Sequence, residues 1–462
     1  MKKLLALTLF VLSSTAIRAN IILPAIFGDH MVLQQKSDVT IWGWAKPNEK
    51  IKIVGSWDRS KEYTLTVNNQ SAWSLVIQTP SAGGPYELTV QGYNTIQIND
   101  VLIGEVWLGS GQSNMEWTPQ SRIDNAEEER AKANYPELRF FTVQVLAADK
   151  PQQQLIGHWV VCTPETMNNS SAIMYFFGQE LYEKLKVPVG LINSSWGGTP
   201  IEIWMPDYCV TGDKVLREGA TLVKPAPWGP NEPGRAYNSM IHPLIPFKIK
   251  GALWYQGEAN TSNANNYARS LNTLISSWRS LWGYEFPFYF AQIAPYGGYG
   301  TDNVDGARVR DQQRRVLDIT DHTGMAVLSD IGDLKNIHPG NKKDAGKRLA
   351  FWALHDDYGF TNIPYSGPLY QSFEVKKDKV IVHFNHAEGG LMAKDSELRE
   401  FEILDDNGEW VATPAKINGA VVEIDVKGKS FKGIRFGYHN DSNPNLFNKA
   451  GLPASCFEVL MK

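Results

Sequence analysis

Four short segments of the chain hold residue types able to open an ester. In the first, Gly109-Ser110-Gly111-Gln112-Ser113-Asn114-Met115, a serine sits in a glycine-rich turn. Such a turn exposes the hydroxyl, lets backbone approach a substrate and leaves helix-start N–H groups free for an oxyanion. Capping the following helix is the plainer use of the same serine, and Met115 breaks the Gly-x-Ser-x-Gly spacing of the α/β-hydrolases. The second segment, Asn193-Ser194-Ser195-Trp196-Gly197-Gly198-Thr199-Pro200, offers the N–H groups of Gly197 and Gly198, although a tight turn uses such residues too. In the third, Trp254-Tyr255-Gln256-Gly257-Glu258-Ala259-Asn260, Gln256 has an amide to donate to developing negative charge. Glu258 suits orienting a histidine or binding a sugar hydroxyl. The fourth, Asp330-Ile331-Gly332-Asp333-Leu334-Lys335-Asn336-Ile337-His338-Pro339, sets His338 behind two acids. That is a pattern for a general base held by a carboxylate, and a lone histidine is also a common structural residue.

The surrounding elements decide whether these segments can meet. Residues 20–100 alternate in the strand manner, for example Val39–Trp44, Lys50–Val54, Tyr63–Val67 and Tyr86–Val90, and predict a small antiparallel sandwich. From residue 101 to 365 strands alternate with helices. The strands are Val101–Ser110, Leu138–Val143, Val189–Asn193, Gly251–Gln256, Phe286–Ile293 and Met325–Ser329. Helices are expected over Arg122–Ala133, Ala172–Lys186, Asn266–Trp282, Ala307–Leu317 and Asp344–Tyr358. This alternation predicts an α/β fold with a parallel sheet covered on both faces. All four segments follow predicted strands, so they can converge at the carboxyl edge of that sheet, where such folds place their sites. Residues 366–462 return to strands and form a β-rich closing unit.

Taken in order, the segments resemble the sialate O-acetylesterases, a branch of the SGNH hydrolases. Gly111–Met115, Gly197–Glu202, Trp254–Glu258 and Ile337–Pro339 carry the resemblance, joined by Asn238–Leu244 and Asn445–Ser455. It runs from about Leu23 to the C-terminus and implies a flavodoxin-like SGNH core that hydrolyses acetyl esters on carbohydrates without metal or cofactor. By this resemblance Ser113 is the nucleophile and lends its own N–H to the oxyanion hole. Gly197 or Gly198 supplies a second donor, Gln256 stands where many SGNH enzymes have Asn, and His338 is the base. One departure is visible: the usual arrangement has Asp three residues before the His, and Lys335 occupies that place. Asp333, Asp330 and Glu258 therefore compete to orient His338, with Asp333 first because it shares the short loop. The resemblance implies O-acetylated sialic acid first as the substrate, with acetyl-xylan or another hemicellulose of the same family's range as the alternative. Arg235 and Arg122 are the cations available for a sialate carboxylate. A non-catalytic glycan-binding protein is the alternative from another class.

Composition narrows the field further. Forty-five basic against 49 acidic residues leave a net charge of −4, with no basic field for nucleic acid. Three cysteines, Cys162, Cys209 and Cys456, permit one disulfide at most and show no zinc-ligand spacing. Fifteen tryptophans, of which Trp42, Trp44, Trp107, Trp117, Trp196, Trp204, Trp228 and Trp254 lie in or near these segments, suit stacking on sugar rings as well as core packing. Residues 1–19 begin Met1-Lys2-Lys3, run apolar from Leu4 to Leu12 and offer cleavage at Ala16 or Ala19. They predict an export signal and a secreted or periplasmic protein without a membrane anchor. Nothing in the sequence fixes an oligomeric state.

Overall fold

The computed structural model describes residues 20–395, 397–428 and 430–461. The export signal expected at residues 1–19 lies outside them. The organising element is a 17-residue strand, Thr95–Gly111, here β2, which follows β1 (Gly83–Gln91). Its first half pairs antiparallel with β1, and its second half forms the centre of a parallel sheet. That sheet continues with β3 (Tyr135–Thr142), β4 (Trp159–Cys162), β5 (Val189–Ser195), β6 (Gly251–Tyr255), β7 (Phe288–Ala291) and β8 (Thr323–Ala326). The order is β8-β7-β6-β2-β5-β3-β4, with only β4 antiparallel to its neighbour. From β2 the chain first builds one side of the sheet and later the other. The winding therefore reverses at β2, and a crevice opens at its carboxyl end.

Every residue of β5, β6 and β7 is buried. Since successive side chains point to opposite faces, both faces are covered, as the apolar runs predicted. The cover includes two helix pairs, α2 (Ala172–Leu185) with α5 (Lys342–Asp356) and α3 (Tyr267–Trp282) with α4 (Asp305–Val316). Helix α3 buries Leu271, Leu274, Ile275 and Trp278, spaced to form one apolar stripe. A short helix, α1 (Ser113–Glu116), starts directly beyond β2.

The first β unit and the parallel sheet share β2, and they also share one hydrophobic core that contains Ile53, Val90, Val106 and Leu108. The domain limit read near residue 100 therefore falls inside a continuous strand. Residues 369–460 form two four-stranded antiparallel sheets around a separate core of Val382, Phe401, Ile424, Phe436 and Phe457. All three cysteines are free thiols, with Cys162 and Cys456 buried.

Gly111 ends β2 at φ +136°, and a Cβ built there would lie 2.2 Å from the Tyr255 carbonyl oxygen on β6. That carbonyl accepts the Gln112 N–H at 3.0 Å, so strand pairing and turn meet at this point. Gly111→Ala is expected to destabilise the protein by more than ~1 kcal/mol, because strain and overlap add. Gly408→Ala, with positive φ but open space around it, should cost less. Denaturant midpoints of the two variants check the order.

Candidate active site

The turn after β2 aims Ser113 into the crevice. Its Oγ lies 2.8 Å from Nε2 of His338, which comes from the loop between β8 and α5. Two side chains 225 positions apart thus meet at one sheet edge. They line a cleft of about 580 Å3 with Gln112, Glu116, Trp196, Gly197, Gly198, Trp228, Glu258 and Ala259. A cavity of about 680 Å3 between α4 and the C-terminal unit is larger. Its arginines, Arg308, Arg314 and Arg315, are paired with Asp305 and Asp311, and it contains no serine–histidine pair.

Below Ser113 lies a buried polar network. Asn114 Nδ2 donates to Glu258 Oε1 at 2.7 Å and to the Ile337 carbonyl at 3.0 Å. Its Oδ1 accepts from Lys342 Nζ at 2.6 Å. Glu258 Oε2 is buried and has no partner among the described residues. Burial raises the Glu258 carboxyl, against the hydrogen bond from Asn114 and the charge of Lys342. Burial also lowers the Lys342 ammonium to about 7, against Glu258 and Asp124.

Of the oxyanion donors read in the sequence, Gln256 and Gly197 are committed elsewhere, whereas Ser113 and Gly198 are left open among the described residues. Gln256 is wholly buried: its amide donates to the Thr199 carbonyl at 3.1 Å and to Asn260 Oδ1 at 2.7 Å, while its oxygen accepts from Tyr267 Oη. It ties loops together beneath the cleft and does not line it. The N–H of Gly197 donates to Glu116 Oε2 at 2.7 Å and is already engaged. Gly198, at φ +71°, keeps an N–H with no acceptor among the described residues, as does Ser113. Both belong to residues that line the cleft.

None of the three acids meets the imidazole. Asp333 is exposed and accepts the Lys335 N–H at 2.9 Å, closing its own turn. Asp330 holds Arg348 with both oxygens, at 2.6 and 2.7 Å. Glu258 bonds to Asn114 instead. The imidazole is held by packing: Trp117 stacks on it at 4.5 Å and 20°, and Asn336 Oδ1 accepts the His338 backbone N–H at 3.0 Å. Burial, and after it the Lys342 charge, hold His338 below the ordinary imidazole value.

Sequence reasoning gave no role to Asn114, Glu116 and Lys342, and named Trp117 only among the tryptophans suited to sugar stacking. Asn114, Glu116 and Trp117 stand within four residues of Ser113 and Lys342 follows His338 by four, so proximity was the available signal. Their contacts depend on loops that meet only in the fold. Arg235 is paired with Asp149, and neither it nor Arg122 lines the cleft.

A family model described as carbohydrate esterase, sialic acid-specific acetylesterase, matches residues 103–350, more than half of the chain. Human sialate O-acetylesterase is 29% identical over 425 residues, covering 84% of this chain and 81% of the human protein. The mouse sialate O-acetylesterase is 29% identical over 450 residues, covering 84% and 83%. A carbohydrate acetylesterase from Xanthomonas citri superposes with a TM-score of 0.87 at 33% identity, over 95% of this chain and 99% of that one.

Two measurements test the geometry. His338 must be unprotonated to accept a proton, so kcat/KM for acetyl-ester hydrolysis should fall as pH drops through its pKa. The depressed value puts that limb below about 6.5. Lys342→Met, which removes the positive neighbour, should move the limb to higher pH; a downward move contradicts the assignment. Asp333→Asn should keep kcat near wild type, whereas a loss approaching ~10⁴-fold would show that Asp333 swings in to orient the base.

Proposed function

Because the chain belongs to the carbohydrate esterase family of sialic acid-specific acetylesterases, we propose that Ser113 and His338 carry out its deacetylation of carbohydrates. The observation that supports this most is the 2.8 Å contact between Ser113 Oγ and His338 Nε2 inside an open cleft. His338 Nε2 takes the Oγ proton as Oγ attacks the acetyl carbonyl. The N–H groups of Ser113 and Gly198 receive the oxyanion, each lowering the barrier by roughly 3–4 kcal/mol in such sites. The tetrahedral intermediate collapses, His338 protonates the departing sugar oxygen, and an acetyl-serine remains. Water then loses a proton to His338 and attacks the acetyl group, and as the second intermediate collapses His338 returns that proton to the departing Ser113 Oγ and acetate is released. The base is held by Trp117 and the loop backbone, with Asn114 fixing the loop through Ile337.

One observation favours neutral acetylated sugars, such as acetyl-xylan or another hemicellulose, over O-acetylated sialic acid. The carboxylic side chains lining the cleft are Glu116 and Glu258, and among the described lining residues there is no Lys or Arg to meet a sugar carboxylate.

Ser113→Ala should fold normally and release no acetate above background from either acetylated xylan or O-acetylated sialic acid. Wild-type acetate release, measured side by side on acetylated xylan and O-acetylated sialic acid, should be the faster on xylan. Faster release from the sialic acid would overturn the neutral-sugar reading, and a folded, active Ser113→Ala would overturn the nucleophile.

A further inference from the structure

Glu116 is the cleft residue that the proton-transfer chemistry leaves without a task. It sits one helical turn after Ser113, on the same short helix. Oε2 is fixed by the Gly197 N–H at 2.7 Å. A Cβ built on Gly197 would lie 3.0 Å from that same Oε2 and 3.3 Å from the Ser113 Cβ, so carboxylate and nucleophile flank one point. The second oxygen, Oε1, has no protein partner among the described residues, and it is not sealed in the interior as Glu258 Oε2 is. Nor does a cation pair with Glu116, whose carboxyl is raised by burial and held down only by the Gly197 hydrogen bond.

A half-desolvated carboxylate with one idle acceptor oxygen is matched by a hydroxyl donor. It is badly matched by an anion or by the ester oxygens themselves. In a partly acetylated sugar the hydroxyl on the carbon next to the ester-bearing carbon is the nearest such donor to the reacting centre. Donation to Oε1 would also draw off charge that otherwise opposes the oxyanion forming beside it. Trp228, 62% exposed at the cleft mouth, and Trp196, whose Nε1 donates to the Trp228 carbonyl at 2.8 Å, give the remainder of a sugar ring an apolar surface.

We infer that Glu116 sets specificity by accepting a hydrogen bond from the hydroxyl vicinal to the acetyl ester, so that the preferred substrates are sugar esters with a free neighbouring hydroxyl. This rests on Ser113 acting as the nucleophile. The test is a four-way comparison of kcat/KM. The substrates are a monoacetylated methyl pyranoside with a free neighbouring hydroxyl and the analogue in which hydrogen replaces that hydroxyl. The enzymes are wild type and Glu116→Gln, with Glu116→Ala as a second variant. Losing the substrate hydroxyl should cost the wild type about 10–100-fold, the range of a hydrogen bond to a charged group, and cost the variants several-fold less. An equal cost in wild type and variants overturns the inference and leaves Glu116 as a brace for Gly197. A wild type inert towards both sugars and towards 4-nitrophenyl acetate overturns the nucleophile reading itself, an outcome distinct from equal costs.

Discussion

The site hangs on the side chain of Asn114. This buried amide uses both hydrogens and its oxygen to bind three separate pieces of chain: Glu258 beyond β6, Ile337 in the histidine loop and Lys342 at the start of α5. Each of those segments leaves the sheet at a different place and would otherwise be free to settle independently. With the amide saturated, the loop that carries His338 is fixed relative to the residue next to Ser113. A buried amide with both hydrogens and its oxygen engaged favours one arrangement, because the alternatives leave one of those groups unpaired. Buried charge is costly, and burial displaces the pKa values of Glu258 and Lys342 in opposite directions, while their attraction across the amide works against both shifts.

The same network bears on the base. A carboxylate hydrogen-bonded to the imidazole would raise its pKa and fix its tautomer, and no carboxylate among the described residues does so. Desolvation and the Lys342 charge act in the other direction and favour the neutral ring, the form that the proposed proton transfer from Ser113 requires. Orientation then falls to shape: Trp117 covers one face of the ring, and the loop backbone is tied at Asn336 and Ile337. Lys342 itself lies 5.4 Å from the Trp117 ring centre, so one tryptophan links the base to the ammonium that tunes it.

Much of this was legible in the sequence, for identifiable reasons. Apolar runs fixed the parallel strands, because a strand covered on both faces must be apolar throughout. Ser113 and His338 stood out because each follows such a strand, and their meeting follows from sheet geometry. Gln256 misled because an amide at a strand exit looks the same whether it faces a cleft or, as here, Tyr267 and Asn260 below it. Gly197 misled in another way. Its N–H does face the site, but Glu116 reaches it first, and no spacing rule encodes that. Asp333 was favoured for sharing a loop with His338, yet that loop curls so that the carboxylate caps its own turn. Short elements such as the 3₁₀ turn over Glu258–Asn266 carry no periodic signal at all.

The β-rich closing unit takes part in the site through a relay of backbone contacts. Asn440, 2% exposed, accepts the Gly306 N–H with Oδ1 and donates through Nδ2 to the carbonyls of Gly300 and Asn303. Its own carbonyl accepts the Tyr296 N–H at 2.8 Å, and the next N–H, of Gly297, donates to the Leu334 carbonyl at 2.9 Å. Leu334 belongs to the loop that carries His338. That loop is therefore gripped at two points, by Asn114 from the nucleophile side and by the segment that Asn440 holds from the C-terminal side. A loop of exposed residues between a sheet edge and a helix has little packing of its own to place an imidazole. Fixing it from both flanks supplies the rigidity that packing does not, and gives the C-terminal unit a part in placing His338 although none of its described residues lines the cleft.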